Sequence, residues 1–287
     1  MEESVIKWET GIQLLARLGS RDYLANLDPV IFPNLRPKQV VEVYGKAGSG
    51  KTEILYHFIS QCILPKSWNG IILNGIDCNV LLIDNDYHFN LLRLVTLIEK
   101  RIHRENSKRH DNVINLHVNN VLSFVKERLQ KLHILKCSNS EQFLITLCSL
   151  EKLLTENDIS VIFVDSISAF YWLDRMNFMD NYKKLEDYYG SMVMTLKRLV
   201  NDYNLILIAT KQALMKNTEP ESVANKNAPP NISFDFMGKQ WKKLVDYCLF
   251  LKNNVENNKS FLSISVINEN MQINLNAKIT DCGLEYM

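Results

Sequence analysis

The sequence predicts an α/β fold in which helices cover both faces of a mostly parallel, twisted sheet. Short β-branched runs alternate with helical apolar periods along most of the 287 residues, which is typical of a buried parallel sheet. A glycine-rich turn separates the first of these runs from the first helical pattern. The last part of the chain instead holds short strand patterns joined by Asn-rich turns, which predicts an antiparallel C-terminal extension of the same sheet.

The predicted elements follow in order. GIQLLARL, residues 11–18, has a short helical pattern, and the proline-bearing DPVIFPNLRPKQ that follows predicts an extended linker. We therefore expect an N-terminal arm over residues 1–35 and a main domain over residues 36–287. Strand and helix patterns then alternate as QVVEVY and TEILYHFISQCI, NVLLID and FNLLRLVTLIEKRI, LHILKC and EQFLITLCSLEKLL, SVIFVD and a long helix ending near Leu199, and finally LILIAT.

The rest of the main domain divides into strands and loops. The antiparallel extension is predicted from CLFLKNN, FLSISVI and MQINLNA. The segments 174–186 and 214–241 lack periodicity and predict loops, which at this length are functional or disordered.

Composition excludes several classes of protein. The formal net charge is +1, from 33 basic and 32 acidic residues, so any nucleic-acid surface must be a local patch. The six cysteines form no CxxC pair, which argues against a zinc cage and a disulfide framework. The start, MEESVIKWET, lacks the features of a secretory signal, and no apolar run approaches the ~20 residues of a membrane span. We therefore expect a cytosolic or nuclear protein with no membrane segment.

The glycine-rich turn, GKAGSGKT, matches the Walker A pattern between a strand and a helix. Its glycines let backbone N–H groups point at phosphate oxygens, and the helix N-terminus adds partial positive charge. Lys51 can reach the β- and γ-phosphates, and the Thr52 hydroxyl can ligate Mg²⁺. The sequence therefore predicts an ATP and Mg²⁺ site formed by Gly45, Lys46, Ala47, Gly48, Ser49, Gly50, Lys51 and Thr52.

Two carboxylates are candidates for the same site. Asp165 ends the strand SVIFVD, from where it can orient the Mg²⁺ hydration shell; an aspartate at a strand end is also common without that role. Asp86 lies two residues after Asp84, so both point to the same face. It is a candidate general base for ATP hydrolysis. The alternative is that Asp86 caps a helix beginning near Phe89.

Gln212 follows Thr210 and Lys211 at the end of LILIATKQ, beside the same crevice. Its amide could sense the γ-phosphate, or it could face solvent.

The aromatic run Phe170–Trp172 is typical of packing or of a subunit interface.

Together these phrases resemble the RecA-type core of the eukaryotic recombinases and their paralogues. The resemblance rests on IDND, VIFVDSISAFYW and LILIATKQ after the P-loop, and more closely on GIQLLARL, GKTEILYHFISQCILPKS, DYHFNLLRLVTLIE and DSISAFYWLDRMN. It runs from about Gly11 to about Gln212 and fades beyond.

The resemblance implies a nuclear, RecA-like ATP-binding protein of homologous-recombination repair of DNA double-strand breaks. It implies a complex with other recombinase paralogues, first the D member and through it the B and C members, with the N-terminal arm bridging to the neighbour. By residue, it assigns Walker A roles to Gly45, Gly50, Lys51 and Thr52, the Walker B role to Asp165 and γ-phosphate sensing to Gln212. The two DNA-facing loops of the family map onto 174–186 and 214–241.

One departure from the family concerns hydrolysis. Active recombinases carry a catalytic Glu in an IDTEG-like turn, where this chain has Asp86, which is one methylene shorter. Misplacing a catalytic group by about 1 Å can lower a rate about a hundredfold. We therefore expect weak or absent intrinsic hydrolysis. The alternative is an active DNA-stimulated ATPase that uses Asp86. A P-loop small-molecule kinase is disfavoured, because 214–241 contains no arginine for a lid.

Basic residues fall in two places. Those at the end of a helix are either solvated or form a phosphate-contacting or localisation patch, namely Lys100, Arg101, Arg104, Lys108 and Arg109. Those in the two predicted loops are Arg175, Lys183, Lys184, Lys216, Lys226 and Lys239, near Phe178, Tyr182, Phe234, Phe236 and Trp241. Cations beside aromatic rings suit single strands. Acidic neighbours dilute this charge, so we expect weak binding of single-stranded or branched DNA by the chain alone.

Overall fold

The computed structural model of the chain describes residues 21–109, 114–179, 181–213, 237–256, 259–269 and 271–287, together with Gly11, Leu14 and Gly19. Its strands are β1 (Val40–Gly45), β2 (Ser67–Trp68), β3 (Ile71–Ile72), β4 (Asn79–Asp84), β5 (Leu132–Leu135), β6 (Ile159–Asp165), β7 (Ile206–Gln212), β8 (Tyr247–Glu256), β9 (Lys259–Asn268), β10 (Met271–Thr280) and β11 (Gly283–Tyr286). Its helices are α1 (Lys51–Ile63), α2 (Leu91–Ser107), α3 (Val118–Leu129), α4 (Ser140–Glu156), α5 (Tyr171–Asn177), α6 (Tyr182–Asp202) and α7 (Gly238–Leu244).

Nine strands form one sheet in the order β11-β10-β9-β8-β1-β7-β6-β4-β5. All pairings from β8 to β5 are parallel, and those from β8 to β11 are antiparallel. The predicted fold class, a mostly parallel sheet with an antiparallel C-terminal extension, is confirmed. The β2–β3 hairpin stands apart, and neither it nor α3 was predicted.

Apolar layers cover both faces of the parallel part of the sheet. Helices α1, α2 and α3 pack on one face, and α4, α5, α6 and α7 pack on the other. Side chains of one strand alternate between the layers: in β6, Phe163 belongs to the first and Ile162 to the second. Burial on both faces explains why the central strands are continuous apolar runs. In the described parts of the chain, no helix is both long and apolar enough to span a bilayer.

The segment before β1 differs from the extended linker that we predicted. A 3-10 helix spans Asp22–Asn26, and turns follow it. Large apolar side chains from this segment are buried in the core, namely Leu24, Leu27, Ile31, Phe32 and Leu35. We predicted an extended backbone from the prolines. Burial of the apolar side chains in this segment instead holds it against the core, because each gains about 1.5–3 kcal/mol from burial. The bridging role of residues 1–35 stays a prediction, and the helical pattern over 12–18 lies outside the described residues apart from Leu14.

The two predicted loops are shorter than expected. Helices α5 and α6 occupy most of 174–186 and leave only 178–181 between them. The C-terminal end of 214–241 is helical in α7, and residues 214–236 lie outside the described part. The prediction of long loops was therefore wrong at 174–177, 182–186 and 238–241.

Candidate nucleotide-binding site

The P-loop connects β1 to α1 at the carboxyl edge of the parallel strands. Gly48 and Gly50 have φ angles of 73° and 90°, which favour glycine. Gly45 has a different constraint, because a Cβ there would lie 2.3 Å from Ser49 Oγ and 2.9 Å from the backbone oxygen of Leu251. The loop is thus shaped by its glycines and by its contact with β8.

Lys51 and Ser49 are the polar side chains of the loop that bear on phosphate binding. Lys51 Nζ donates to the carbonyl oxygens of Gly45 (3.1 Å) and Lys46 (2.9 Å). Burial lowers the pKa of Lys51, and the charges of Asp165 and Asp86 oppose that shift. The Ser49 hydroxyl is buried without a hydrogen-bond partner among the described residues. An unsatisfied buried hydroxyl and a lysine held only by carbonyls fit a phosphate ligand.

Asp165 and Thr52, the predicted Mg²⁺ ligands, are in direct contact. Thr52 Oγ1 donates to Asp165 Oδ2 at 3.0 Å, and the Thr210 hydroxyl donates to Oδ1. Burial raises the pKa of Asp165, the two hydroxyl hydrogen bonds lower it, and the charges of Asp86 and Asp84 raise it further. Within the described ranges no three side chains converge as a metal cage. A Mg²⁺ ion here would rely on nucleotide oxygens and water, as is usual for this ion.

Asp86 does not cap the following helix. The N-cap is Asn90, whose Oδ1 accepts from the backbone N–H groups of Leu92 (2.9 Å) and Arg93 (3.4 Å). The capping alternative was therefore wrong. The backbone N–H of Asp86 donates to the Asp165 carbonyl at 3.1 Å, and its half-buried carboxylate acts electrostatically on Lys51 and Asp165. Its role as general base stays a prediction.

Asp84 and Asn85 complete this turn, and sequence reasoning gave neither a role. Asp84 is fully buried and accepts from the N–H groups of His88 (3.2 Å) and Phe89 (3.4 Å). Asn85 Nδ2 donates to the Ser166 carbonyl at 3.1 Å, while its buried Oδ1 has no partner in the described parts of the chain. The two side chains fix the turn that presents Asp86, and the local pattern gave no signal for a contact with Ser166.

Gln212 ends β7 beside the P-loop, in register with Gly45. Its side chain is exposed, and its N–H donates to Ser168 Oγ at 3.3 Å. Lys211, which we placed in the same crevice, points to the opposite face and pairs with Glu42 Oε2 at 2.5 Å. That placement was wrong, because adjacent strand residues face opposite sides. Sensing by Gln212 stays a prediction.

Comparison with known proteins identifies the family. A family model described as Rad51 matches residues 17–238, which include the P-loop, Asp86, Asp165 and Gln212. The chain belongs to the Rad51 family.

Similar Rad51-family proteins include two that resemble this chain over most of its length. The mouse DNA repair protein XRCC2 is 33% identical over 265 residues, covering 89% of this chain and 88% of the mouse protein. A DNA repair protein XRCC2 homolog from Arabidopsis thaliana is 27% identical over 86% of this chain and 78% of its own. The DNA repair and recombination protein RadA of Methanocorpusculum labreanum is 22% identical over 72% of this chain and 61% of its own. The phrases quoted above predict a likeness to X-ray repair cross-complementing protein two, and this is confirmed. The findings support a RecA-type protein of DNA repair and recombination.

The aromatic residues after Asp165 divide between core and surface in this Rad51-family chain. Tyr171 is buried, whereas Trp172 is 55% exposed. The Arg175 guanidinium lies over the rings of Trp172 (5.6 Å) and Tyr182 (5.3 Å). Trp241, which we grouped with DNA-facing aromatics, is fully buried, so that part of the prediction was wrong. Lys216, Lys226, Phe234 and Phe236 lie outside the described residues.

The basic run at the end of α2 is solvent-exposed at Lys100 and Lys108, as one alternative predicted, but carboxylates of the fold pair with most of its cations. Lys100 pairs with Asp281, and Arg104 Nη1 lies 2.6 Å from Glu285 Oε1. Lys108 pairs with Glu105 at 2.8 Å, and Arg101 is buried. Both alternatives overlooked these acidic partners, because Asp281 and Glu285 come from the distant β10–β11 turn and strand β11.

Proposed function

We propose that this protein is an ATP-binding subunit of a recombinase-paralogue complex in homologous-recombination repair of DNA double-strand breaks, with weak or absent hydrolysis. Membership of the Rad51 family and the names of its relatives support the repair role. The partners that we propose are recombinase paralogues, first the D member and through it the B and C members. We propose the nucleus as the site of action.

One observation carries the ATP-binding proposal: the P-loop is a complete phosphate cradle. Bound ATP with Mg²⁺ would supply a hydrolysable phosphoanhydride and its counter-ion. Ser49 Oγ, unpaired among the described residues, and Lys51 would then donate to phosphate oxygens. Thr52 and Asp165, already in contact, would hold the cation directly and through water.

The hydrolysis proposal rests on Asp86. Its side chain forms no hydrogen bond or ion pair within the described ranges, so nothing in those ranges orients its carboxylate toward an attacking water. A general base must lie about 3 Å from the proton it removes. A short and unoriented carboxylate therefore supports nucleotide holding rather than turnover.

Extending the side chain at position 86 tests this proposal. Asp86→Glu restores the missing methylene, and we expect it to raise the steady-state ATP hydrolysis rate about tenfold or more, since about 1 Å of misplacement is worth about two orders of magnitude. The matched control, Asp86→Asn, should stay at the wild-type rate.

The same assay, run with single-stranded DNA, also tests the enzyme alternative. The alternative predicts a wild-type turnover near one per second, about the lower limit for typical enzymes. Such a turnover, abolished in Asp86→Asn, would establish a DNA-stimulated ATPase instead.

Nucleotide-dependent assembly is the second test. ATP at about 100 times its Kd stabilises the bound state by about 2.7 kcal/mol. We therefore expect ATP to strengthen association with the D paralogue in quantitative pull-downs, and Lys51→Ala to remove that gain. Lys126→Ala, an exposed lysine in α3, is the control. A full-length chain that stays monomeric beside the D paralogue would refute the partner.

Weak DNA contact is proposed for the surface formed by Trp172, Arg175 and Tyr182. An arginine between two exposed rings suits stacking with single-stranded bases. The near-neutral net charge supports a small contribution by this chain alone, for single-stranded or branched DNA.

A further inference from the structure

A cavity of about 710 Å³ shares no lining residue with the P-loop. It lies between the segment before β1, helices α1 and α2, and strand β11. Small-molecule pockets commonly measure about 300–1,000 Å³. The cavity is therefore large enough for a small ligand.

Arg101 is a buried cation that lines this cavity. It is 7% exposed, yet it forms no ion pair with a carboxylate among the described residues. Its guanidinium donates to neutral oxygens only: Gln61 Oε1 (2.8 Å), the Leu73 carbonyl (2.8 Å) and, more weakly, Ser60 Oγ (3.4 Å). Burial lowers the pKa of Arg101 to about 10, so it remains charged at neutral pH. Buried charges in proteins are normally paired.

The other charged groups of the lining are two cations and one carboxylate. Lys66, exposed at the rim, has no ion-pair partner in the described ranges, and Arg104 is held by Glu285 and Glu105. Asp28 is the one carboxylate among the residues that line the cavity. Because carboxylates already offset Arg104, Arg101 and Lys66 are the lining cations left for an anion.

Asp28 is fully occupied by partners within the fold. Its Oδ1 accepts from the N–H groups of Val30 and Ile31, both at 3.1 Å. Its Oδ2 accepts from the Tyr286 hydroxyl and from His57 Nε2, the latter at 3.0 Å. Asp28 therefore forms no direct pair with Arg101, although its charge and that of Glu105 act on the guanidinium from a distance and oppose the lowering of its pKa.

One part of the wall is apolar, while Asn26, Ser67 and Asn74 contribute polar groups elsewhere. Pro29, Val30 and Ile72 line the apolar part, and Val30 and Ile72 are 46% and 64% exposed. A phosphate dianion matches a guanidinium fork together with a separate ammonium, because it offers several oxygens to both. We infer that this cavity binds a small phosphate monoester, with its phosphate on Arg101 and Lys66 and its apolar group against Val30 and Ile72.

Calorimetric titration of the full chain tests this inference. Lys51→Ala serves as the background, so that the P-loop does not contribute phosphate binding. Phenyl phosphate at constant ionic strength should bind saturably, and at least threefold more tightly than inorganic phosphate, which cannot use the apolar wall. Phenol, which lacks the phosphate, should not bind.

Variants in the same background assign the site. Lys66→Ala and Arg101→Lys should each weaken phenyl phosphate binding at least fivefold, and Lys126→Ala should leave it unchanged. Lys66 is exposed, so its variant stays informative if Arg101→Lys fails to fold. The inference is overturned by an absence of saturable binding, by equal affinity for inorganic phosphate, or by unchanged affinity in Lys66→Ala.

Discussion

At the scale of single residues, His57 shows how one buried side chain joins distant parts of the chain. Its Nδ1 accepts from the Leu284 N–H at 3.4 Å, and its Nε2 lies 3.0 Å from Asp28. With one nitrogen accepting, the other must carry the proton, so the ring is neutral. Burial lowers the pKa of His57, the hydrogen bond to Asp28 opposes this, and Arg101 and Arg104 add to the lowering.

This geometry predicts a pH dependence of stability. The folded pKa lies below the unfolded value of about 6.5, so the unfolded chain binds a proton that the folded chain does not. The free energy of unfolding should therefore fall as the pH drops from about 7.5 to 5.5, by up to about 1.4 kcal/mol per pH unit. His57→Gln, which keeps a donor to Asp28, should flatten this slope in urea unfolding.

The exposed His103 in α2 provides the matched control. His103→Gln should retain the wild-type slope. Equal slopes in His57→Gln and wild type would contradict the assignment of His57 as buried and neutral.

Asp28 contributes to stability in a separate pH range. Burial alone would raise its pKa, but hydrogen bonds from His57 and Tyr286 lower it. Its contribution is lost only as the pH falls below about 4.

At the scale of elements, α2 fastens the C-terminal extension to the P-loop helix. Arg93 is bidentate to Glu53 of α1, at 3.3 and 2.9 Å, and donates to the Thr280 carbonyl at 3.1 Å. Two turns later Lys100 pairs with Asp281, and both of these side chains are largely exposed. Arg93 therefore joins α2 to both α1 and the end of β10, whereas Lys100 joins α2 only to the β10–β11 turn.

Comparing Arg93→Ala with Lys100→Ala tests which of the two cations contributes more to stability. Arg93→Ala should lower the free energy of unfolding by about 1–2 kcal/mol, since it removes a half-buried, bidentate pair and a third hydrogen bond. Lys100→Ala should cost less than about 0.5 kcal/mol, as is usual for exposed pairs. Urea unfolding in low and high salt provides the measurement. Equal losses would show that geometry does not distinguish the pairs.

The elements also show where sequence reasoning succeeds. The central strands and the P-loop were predictable because an apolar run or a glycine at a fixed spacing is a local signal. Helix α3 was missed because its buried face holds only Val121, Phe124 and Val125, while Val118 is 71% exposed. The segment before β1 was misjudged because its burial depends on α1 and the sheet, which no local pattern announces.

Within the candidate site, too, sequence reasoning missed contacts between residues that are distant in the chain. The P-loop residues, Asp165 and Gln212 could be placed from strand ends alone. The direction of Lys211 could not, because its partner Glu42 is fixed by the pairing of β1 with β7. Likewise, Asn90 displaced Asp86 as helix cap because the helix begins later than its apolar pattern suggested.

At the scale of the whole molecule, a buried polar cluster joins the centre of the sheet to α7. Glu42 Oε2 accepts from Lys211 Nζ and from Trp241 Nε1, both at 2.5 Å. All three residues are at least 96% buried. Helix α7 precedes β8 in the chain, so this cluster fixes α7 against the centre of the sheet.

Removing one partner should be worse than removing both charges. Lys211→Met leaves Glu42 buried without its cation and should cost about 3 kcal/mol or more. The double variant Glu42→Gln with Lys211→Met should recover at least about 1 kcal/mol, because no uncompensated charge remains. The free energies of unfolding in guanidinium for both variants, for Glu42→Gln and for the wild type complete a double-mutant cycle. Additive losses would argue that the pair is not coupled.

The hydrogen bond from Tyr286 to Asp28 spans 258 residues of sequence, and this separation has a kinetic consequence. Closing so long a loop costs entropy before any contact forms, and contacts between distant residues slow folding. The contact between β11 and the segment before β1 should therefore form late in folding, after the parallel strands have paired. It should also open early, so amide hydrogens of β11 should exchange faster than those of β6 well below the global unfolding transition.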